Sequence, residues 1–167
     1  MQAIETVYKG YRFRSRLEAR WAVFFDALGI EWEYEPEGYI LKGGLCYLPD
    51  FWLPQVDLFA EVKPVELTED ELEKVYLLAI ESGFGVLKLV GTPENKPYLA
   101  VHPTRSGVED CAYCLTMYHN YPVEESRFYC MPGDYGKGGD AYWPDTEFAA
   151  EKARSARFEY GEEGASR

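Results

Sequence analysis

YLPDFWLPQVDLFAEVKP, residues 47–64, decides how this chain is read. In its second half Leu58, Ala60 and Val62 fall on one side of a strand while Glu61 and Lys63 share the other, because successive strand side chains point to opposite faces. Asp50 follows Pro49, and Glu61 stands eleven residues further on. Two explanations compete. Glu61 and Lys63 can be the solvent-facing positions of a half-exposed sheet, where alternate polar residues usually belong, with Asp50 a turn residue after the proline. Alternatively, two carboxylates and an amine converge on one site.

The sequence around this stretch predicts an α/β protein with a mixed sheet. Upstream, SRLEARWAVFFDALG reads as a helix with Ser15 as N-cap, Glu18 at the capping-box position and Gly29 as its stop. Leu17, Trp21, Phe24, Phe25 and Leu28 form its apolar stripe. IEWEYEP alternates Ile30, Trp32 and Tyr34 with acids, as a strand with one buried face does. Gly43-Gly44 separates two apolar runs as a hairpin turn. Downstream, TEDELEKVYLLAIESG carries a second capping box, Thr68 with Glu71. It joins LFAEVKP to the apolar strand GVLKLVG, so those two strands are expected to run parallel. PYLAVHP reads as a further strand.

Three segments are expected: a core over 1–102, an irregular Cys-, Tyr- and Gly-rich insert over 103–145, and a C-terminal helix and tail over 146–167 capped by Thr146. The chain has 167 residues, 47% of them apolar and 16% aromatic, which suits one well-filled core. MQAIETVYKG has no basic start leading into an apolar run, and no stretch has the length of a membrane span, so a cytoplasmic protein is expected. The net charge of −12 argues against non-specific coating of nucleic acid. Against it stands a local basic strip, KGYRFRSRLEAR. Its Arg12, Arg14, Arg16 and Arg20 are candidate phosphate contacts, or else solvated charges.

Two acids and a lysine beside a strand suit metal-assisted phosphodiester hydrolysis. Mg²⁺ takes hard oxygen ligands and keeps several waters, and it activates a bound water while stabilising phosphate charge. A nearby ammonium orients that water or balances the charge that develops. Two close carboxylates repel one another, so a cation stabilises the arrangement.

Pro49-Asp50 followed by Glu61-Val62-Lys63 resembles the signature of the PD-(D/E)XK nuclease superfamily, whose core is a mixed sheet flanked by helices. Glu18 matches an acid that the family often carries on the preceding helix. FRSRLEARWAVFFDALGI, PDFWLP, EVKP and the closing ARSARFEYGE are similar to small phage and prophage members. The resemblance implies a restriction-endonuclease-like fold and a DNA-cleaving enzyme using Mg²⁺ or Mn²⁺, an endonuclease rather than an exonuclease. It implies that Asp50, Glu61 and the main-chain carbonyl of Val62 hold the metal, that Glu18 completes or supports the shell, and that Lys63 assists the attacking water. The other reading of Glu18 is as the N3 member of its capping box and nothing more. DNA is the expected partner. A homodimer would let such an enzyme cut both strands, and a phage or host protein is another partner to consider. If phage-encoded, it would work in the host cytoplasm. A non-catalytic protein that binds DNA or protein on the same fold is the alternative, favoured by the acidic charge.

Cys111-x-x-Cys114, with Cys130 and His119, makes a candidate Cys₃His structural zinc set, and buried free cysteines are the other reading. Cys46 is expected in the core. Tyr11, Tyr47 and Trp52 are candidates to line the path of a nucleic-acid strand. No Gly-rich phosphate loop and no triad-type nucleophile motif is visible.

Overall fold

The computed structural model describes residues 3–115, 128–131 and 144–160. A hairpin of β1 (Thr6–Tyr8) and β2 (Tyr11–Phe13) precedes helix α1 (Arg16–Leu28). Strand β3 (Glu33–Tyr34), a second hairpin of β4 (Tyr39–Leu41) and β5 (Leu45–Tyr47), then β6 (Phe51–Leu53) and β7 (Leu58–Lys63) follow. Helix α2 (Glu69–Ser82) leads to β8 (Gly85–Val90), β9 (Pro97–Thr104), β10 (Gly107–Leu115) and β11 (Phe128–Met131). Helix α3 (Pro144–Ser155) and a 3₁₀ turn at Phe158–Tyr160 come last.

Seven strands make one mixed sheet in the order β11-β10-β9-β8-β7-β6-β3. β7 and β8 run parallel with Glu61 opposite Lys88, as the α2 crossover predicts. Every other neighbouring pair in it is antiparallel. Odd and even positions of β7 face different layers. Ala60 and Val62 pack with Phe51, Leu87 and Leu89 against Trp21, Phe24 and Phe25 of α1 and Ala149, Ala150 and Ala153 of α3. Phe59 packs on the other side with Val86 and Val101 against Leu41 of β4 and Val75, Leu78 and Ala79 of α2. The sheet is therefore covered by α1 and α3 on one face and by α2 with the β4–β5 hairpin on the other.

Helix ends follow the sequence. The Ser15 hydroxyl accepts from the Glu18 amide at 3.2 Å, and Gly29 closes α1 at φ 68°. At α2 the capping box is complete, with Glu71 Oε2 accepting from the Thr68 amide at 2.9 Å.

The structure departs from expectation in several places. The stretch 103–145, expected to be irregular, carries the end of β9, all of β10 and all of β11. β10 pairs with β9 over the full run from Gly107↔Thr104 to Cys114↔Pro97, and this extends the sheet by two strands. The basic strip, to whose start the sequence reading assigns no element, begins in the turn of a hairpin. Lys9 (φ 48°) and Gly10 (φ 81°) turn β1 into β2 with the paired positive φ angles that a two-residue hairpin turn requires. β3 is shorter than the alternation of IEWEYEP implies. The Glu31 amide bonds to the Gln55 side chain at 3.0 Å and the Trp32 indole to Asp26 at 3.1 Å, so side chains hold that backbone in place of a ladder. Thr146 is not a cap: α3 starts at Pro144, and Thr146 is buried inside it. Cys46 is exposed rather than in the core, because β4 and β5 form a separate two-stranded sheet. Among the described residues no helix is long and apolar enough to cross a membrane.

Candidate active site

Asp50 lies where β6 begins. The last pair of the β6–β7 ladder is Phe51↔Ala60, so Asp50 stands beyond it, opposite Glu61. There the Asp50 carboxylate takes over from the backbone: its Oδ2 accepts from the Val62 amide at 2.7 Å. The Asp50 carbonyl meanwhile accepts from the Glu35 amide at 2.8 Å. Within a strand, the N–H and C=O of one residue point to the same edge. The Val62 carbonyl therefore faces the edge that Asp50 occupies, and Asp50, Glu61 and this carbonyl converge where the two strands separate.

Glu61 is not a solvent-facing residue, being only 6% exposed. Its Oε2 accepts from the Tyr47 hydroxyl at 2.5 Å, and its Oε1 pairs with the Lys63 ammonium at 3.0 Å. Lys63 makes a second ion pair with Glu71 at 3.1 Å. The same Glu71 closes the capping box of α2, so one side chain both starts that helix and ties it to the β7 lysine.

Glu18 approaches from the α1 side and is 8% exposed. Its Oε1 accepts from the Ser15 hydroxyl at 2.7 Å, and its Oε2 from the Tyr34 hydroxyl at 2.6 Å. The Tyr34 oxygen in turn accepts from the Arg14 amide at 3.0 Å. Glu18 thus does more than cap its helix: β3 holds its carboxylate through Tyr34.

The electrostatics are those of crowded anions. Burial and then the Glu61 charge push the Asp50 carboxyl well above the usual carboxylate range, with Glu18 adding to the effect. The Val62 amide and Lys63 oppose the rise without cancelling it. For Lys63, burial alone would lower the pKa, but Glu61 and Glu71 raise it on balance, so the side chain is an ammonium at neutral pH. Burial, followed by the Glu61 charge, lifts the Tyr47 phenol far above its ordinary value, so Tyr47 is a fixed donor.

Among the described residues no group of three or more His, Cys, Asp and Glu forms a ready-made metal cage. Two carboxylates and one carbonyl are a partial cage of hard oxygens. That chemistry fits Mg²⁺ or Mn²⁺, which keep several waters, and a cation there would offset the repulsion that raises Asp50.

Three of the four arginines of the basic strip, all but Arg20, have carboxylate partners among the described residues. Arg12 pairs with Glu5 at 2.9 Å, Arg14 with Glu35 at 2.6 Å, and Arg16 with Glu159. Of the aromatic candidates, Tyr47 belongs to the carboxylate set and Trp52 packs between Phe59 and Phe84, at ring separations of 4.7 and 5.2 Å. Tyr11 packs at a tilt of 59° against Trp32, ring centroids 5.0 Å apart, and lines a cavity of about 370 Å³ with Asp26, Gly29, Ile30 and Glu31, a lining that includes none of Glu18, Asp50 and Glu61. Of the zinc candidates, Cys111 is half-buried on β10, and the backbones of Cys114 and Cys130 lie on β10 and β11. The side chains of Cys114 and Cys130, and the whole of His119, lie outside the described residues.

Sequence reasoning missed Tyr34 and Glu71 as members of this site, and saw Tyr47 only as a surface ring. Glu71 carried a signal, since its capping box opens the helix directly after Glu61-Val62-Lys63. The two tyrosines carried none, because their partners are distant in the chain. No protein-family model matches the chain, and no curated protein matches it.

Proposed function

We propose that the protein is a Mg²⁺- or Mn²⁺-dependent nuclease of the PD-(D/E)XK type with a restriction-endonuclease-like core, hydrolysing DNA phosphodiester bonds. The observation that carries the reading is the meeting of the Asp50 and Glu61 carboxylates with the Val62 carbonyl edge, where burial and then the Glu61 charge leave Asp50 hard to ionise. The order of elements supports it. An acid-bearing helix precedes a strand that begins at the first acid, the next strand carries Glu61 and Lys63, and a helix crosses over to a parallel neighbour.

Asp50, Glu61 and the Val62 carbonyl would hold the metal, with Glu18 completing its shell. Bound there, the cation would lower the pKa of a water and stabilise charge on the phosphate. Tyr47 fixes one oxygen of Glu61, leaving its direction set before substrate arrives. Lys63, held as an ammonium by Glu61 and Glu71, donates to the attacking water or to a phosphate oxygen; it does not take up a proton.

The net charge of −12 favours a second reading, a partner-binding protein that no longer cuts. Incubation with linear, circular, single-stranded and branched DNA, and with RNA, in Mg²⁺ or Mn²⁺ separates the two. The nuclease reading expects metal-dependent cleavage that Glu61→Ala and Lys63→Ala each reduce by at least about a hundredfold, the cost of losing a preorganised charge at a reacting centre. No cleavage of any substrate, with no stabilisation of the fold by either metal, would favour the partner-binding reading.

A further inference from the structure

Arg16 and Arg20 stand one turn apart at the start of α1, so their side chains are neighbours on one helix face. Three features of this pair are unfavourable. Like charges at this spacing repel. Cations at a helix N-terminus oppose the helix dipole, which favours anions there. The Nε atoms of both residues are buried with no hydrogen-bond partner among the described residues, and burying an unpaired donor of a charged group is costly.

Among the described residues one carboxylate forms an ion pair here. Glu159, on the 3₁₀ turn after α3, pairs with the Arg16 guanidinium. It is half-exposed, and its neighbour Phe158 anchors the turn against the core. Burial and the adjacent Arg16 charge lower the Arg20 pKa, and Glu159 only partly restores it. Glu159 therefore pairs with one of the two guanidiniums, and among the described residues both Nε donors are left without a hydrogen-bond partner.

We propose that Arg16 and Arg20 form a phosphate-binding site, and that in the free protein Glu159 holds its place. A phosphate group offers several acceptor oxygens, enough to meet both guanidinium forks, whereas one carboxylate meets one. Binding would displace Glu159 and let the two side chains turn their edge N–H groups onto the oxygens. The other arginines of the strip differ, since Arg12 and Arg14 are exposed and each has its own acid. Identifying the phosphate with one of the substrate strand rests on the nuclease reading; the anion site itself does not.

The test uses the full chain with ¹⁵N-labelled arginine. Inorganic phosphate is titrated while the Arg16 and Arg20 Nε–H signals are followed. In parallel, fluorescent oligonucleotides with a 5′-phosphate or a 5′-hydroxyl are bound in Ca²⁺. Both signals should shift on phosphate addition. Glu159→Gln should tighten oligonucleotide binding about two- to fivefold, as expected for removing an exposed competing ion pair. Arg20→Gln should weaken it about tenfold and reduce its salt dependence by about one charge. A preference for the 5′-phosphate would assign the site to a strand end, and equal binding to an internal phosphate. Unmoved Nε signals, with Glu159→Gln binding no tighter than wild type, would overturn the proposal. Shifted signals in a protein that cuts nothing would sink the nuclease reading and leave the anion site standing. Metal-dependent cleavage with unmoved signals would do the reverse.

Discussion

Asp50 makes bonds to two separate segments, its carbonyl accepting from the Glu35 amide just after β3 and its carboxylate from the Val62 amide on β7. Burial, and then the Glu61 charge, make it hard to ionise in spite of the Val62 bond, and this gives a pH prediction with a definite sign. Its native pKa lies above the unfolded value of about 3.9, so its contribution to stability is present below that pH and is lost as pH rises through the native value. Without metal, Asp50→Asn should melt higher than wild type near neutral pH, and the advantage should disappear towards about pH 4. Each tenfold change in proton affinity is worth about 1.4 kcal/mol, or about 3–6 °C for a chain of this size. Melting curves in chelator across that range check it, and an offset independent of pH would contradict it. Asp50, Glu61, Lys63 and Glu18 were visible in the sequence because their types and spacing are local. Tyr47 and Tyr34 were not, since a phenol reaches its acid only after the β5 hairpin and β3 have docked. Tyr47→Phe should therefore lower the rate of cleavage more than substrate binding, as measured by kcat against KM. Equal loss in both would instead make Tyr47 a binding contact.

Helix α2 carries a double duty that separates experimentally. Thr68→Ala removes the cap and should cost about 1 kcal/mol in denaturant unfolding, yet it leaves Glu71 beside Lys63. Glu71→Gln keeps a side chain able to complete the capping box but loses the charge that holds the lysine. Cleavage should fall further in Glu71→Gln than in Thr68→Ala, although Thr68→Ala is the less stable protein. The opposite ranking would reduce Glu71 to a cap. Close approach between strands gives a second check. A Cβ on Gly85 would stand 2.6 Å from both the Leu58 side chain and the His102 ring. Gly85→Ala should cost about 1–3 kcal/mol, the usual penalty for overpacking. An unchanged unfolding midpoint would show that both neighbours yield. Both main helices were legible because caps and stripes are local signals. The β1–β2 hairpin was hidden by its arginines, and β10 by the Cys, Gly and Pro around it, since strand assignment depends on partners that the sequence does not name.

Across the whole molecule, the mixed sheet and its helical cover follow from two apolar faces on β7 that must both be buried. The parallel pairing of β7 with β8 was readable from the crossover helix. The outer order, with β3 beside β6 and β10 and β11 at the far edge, was not, because long-range pairing leaves no periodic trace. The acidic whole and the basic start of α1 also pull apart. Substrate approach would rely on the few arginines near Glu18, and binding should weaken with salt according to those contacts alone, well short of a slope set by a broad basic surface. The most direct test of the central claim is single-turnover cleavage of DNA by Glu61→Gln beside wild type in Mg²⁺, with both proteins shown to be folded. Wild type should cleave only with the metal present, and the variant should be slower by at least about a hundredfold. Equal rates in the two proteins would contradict it.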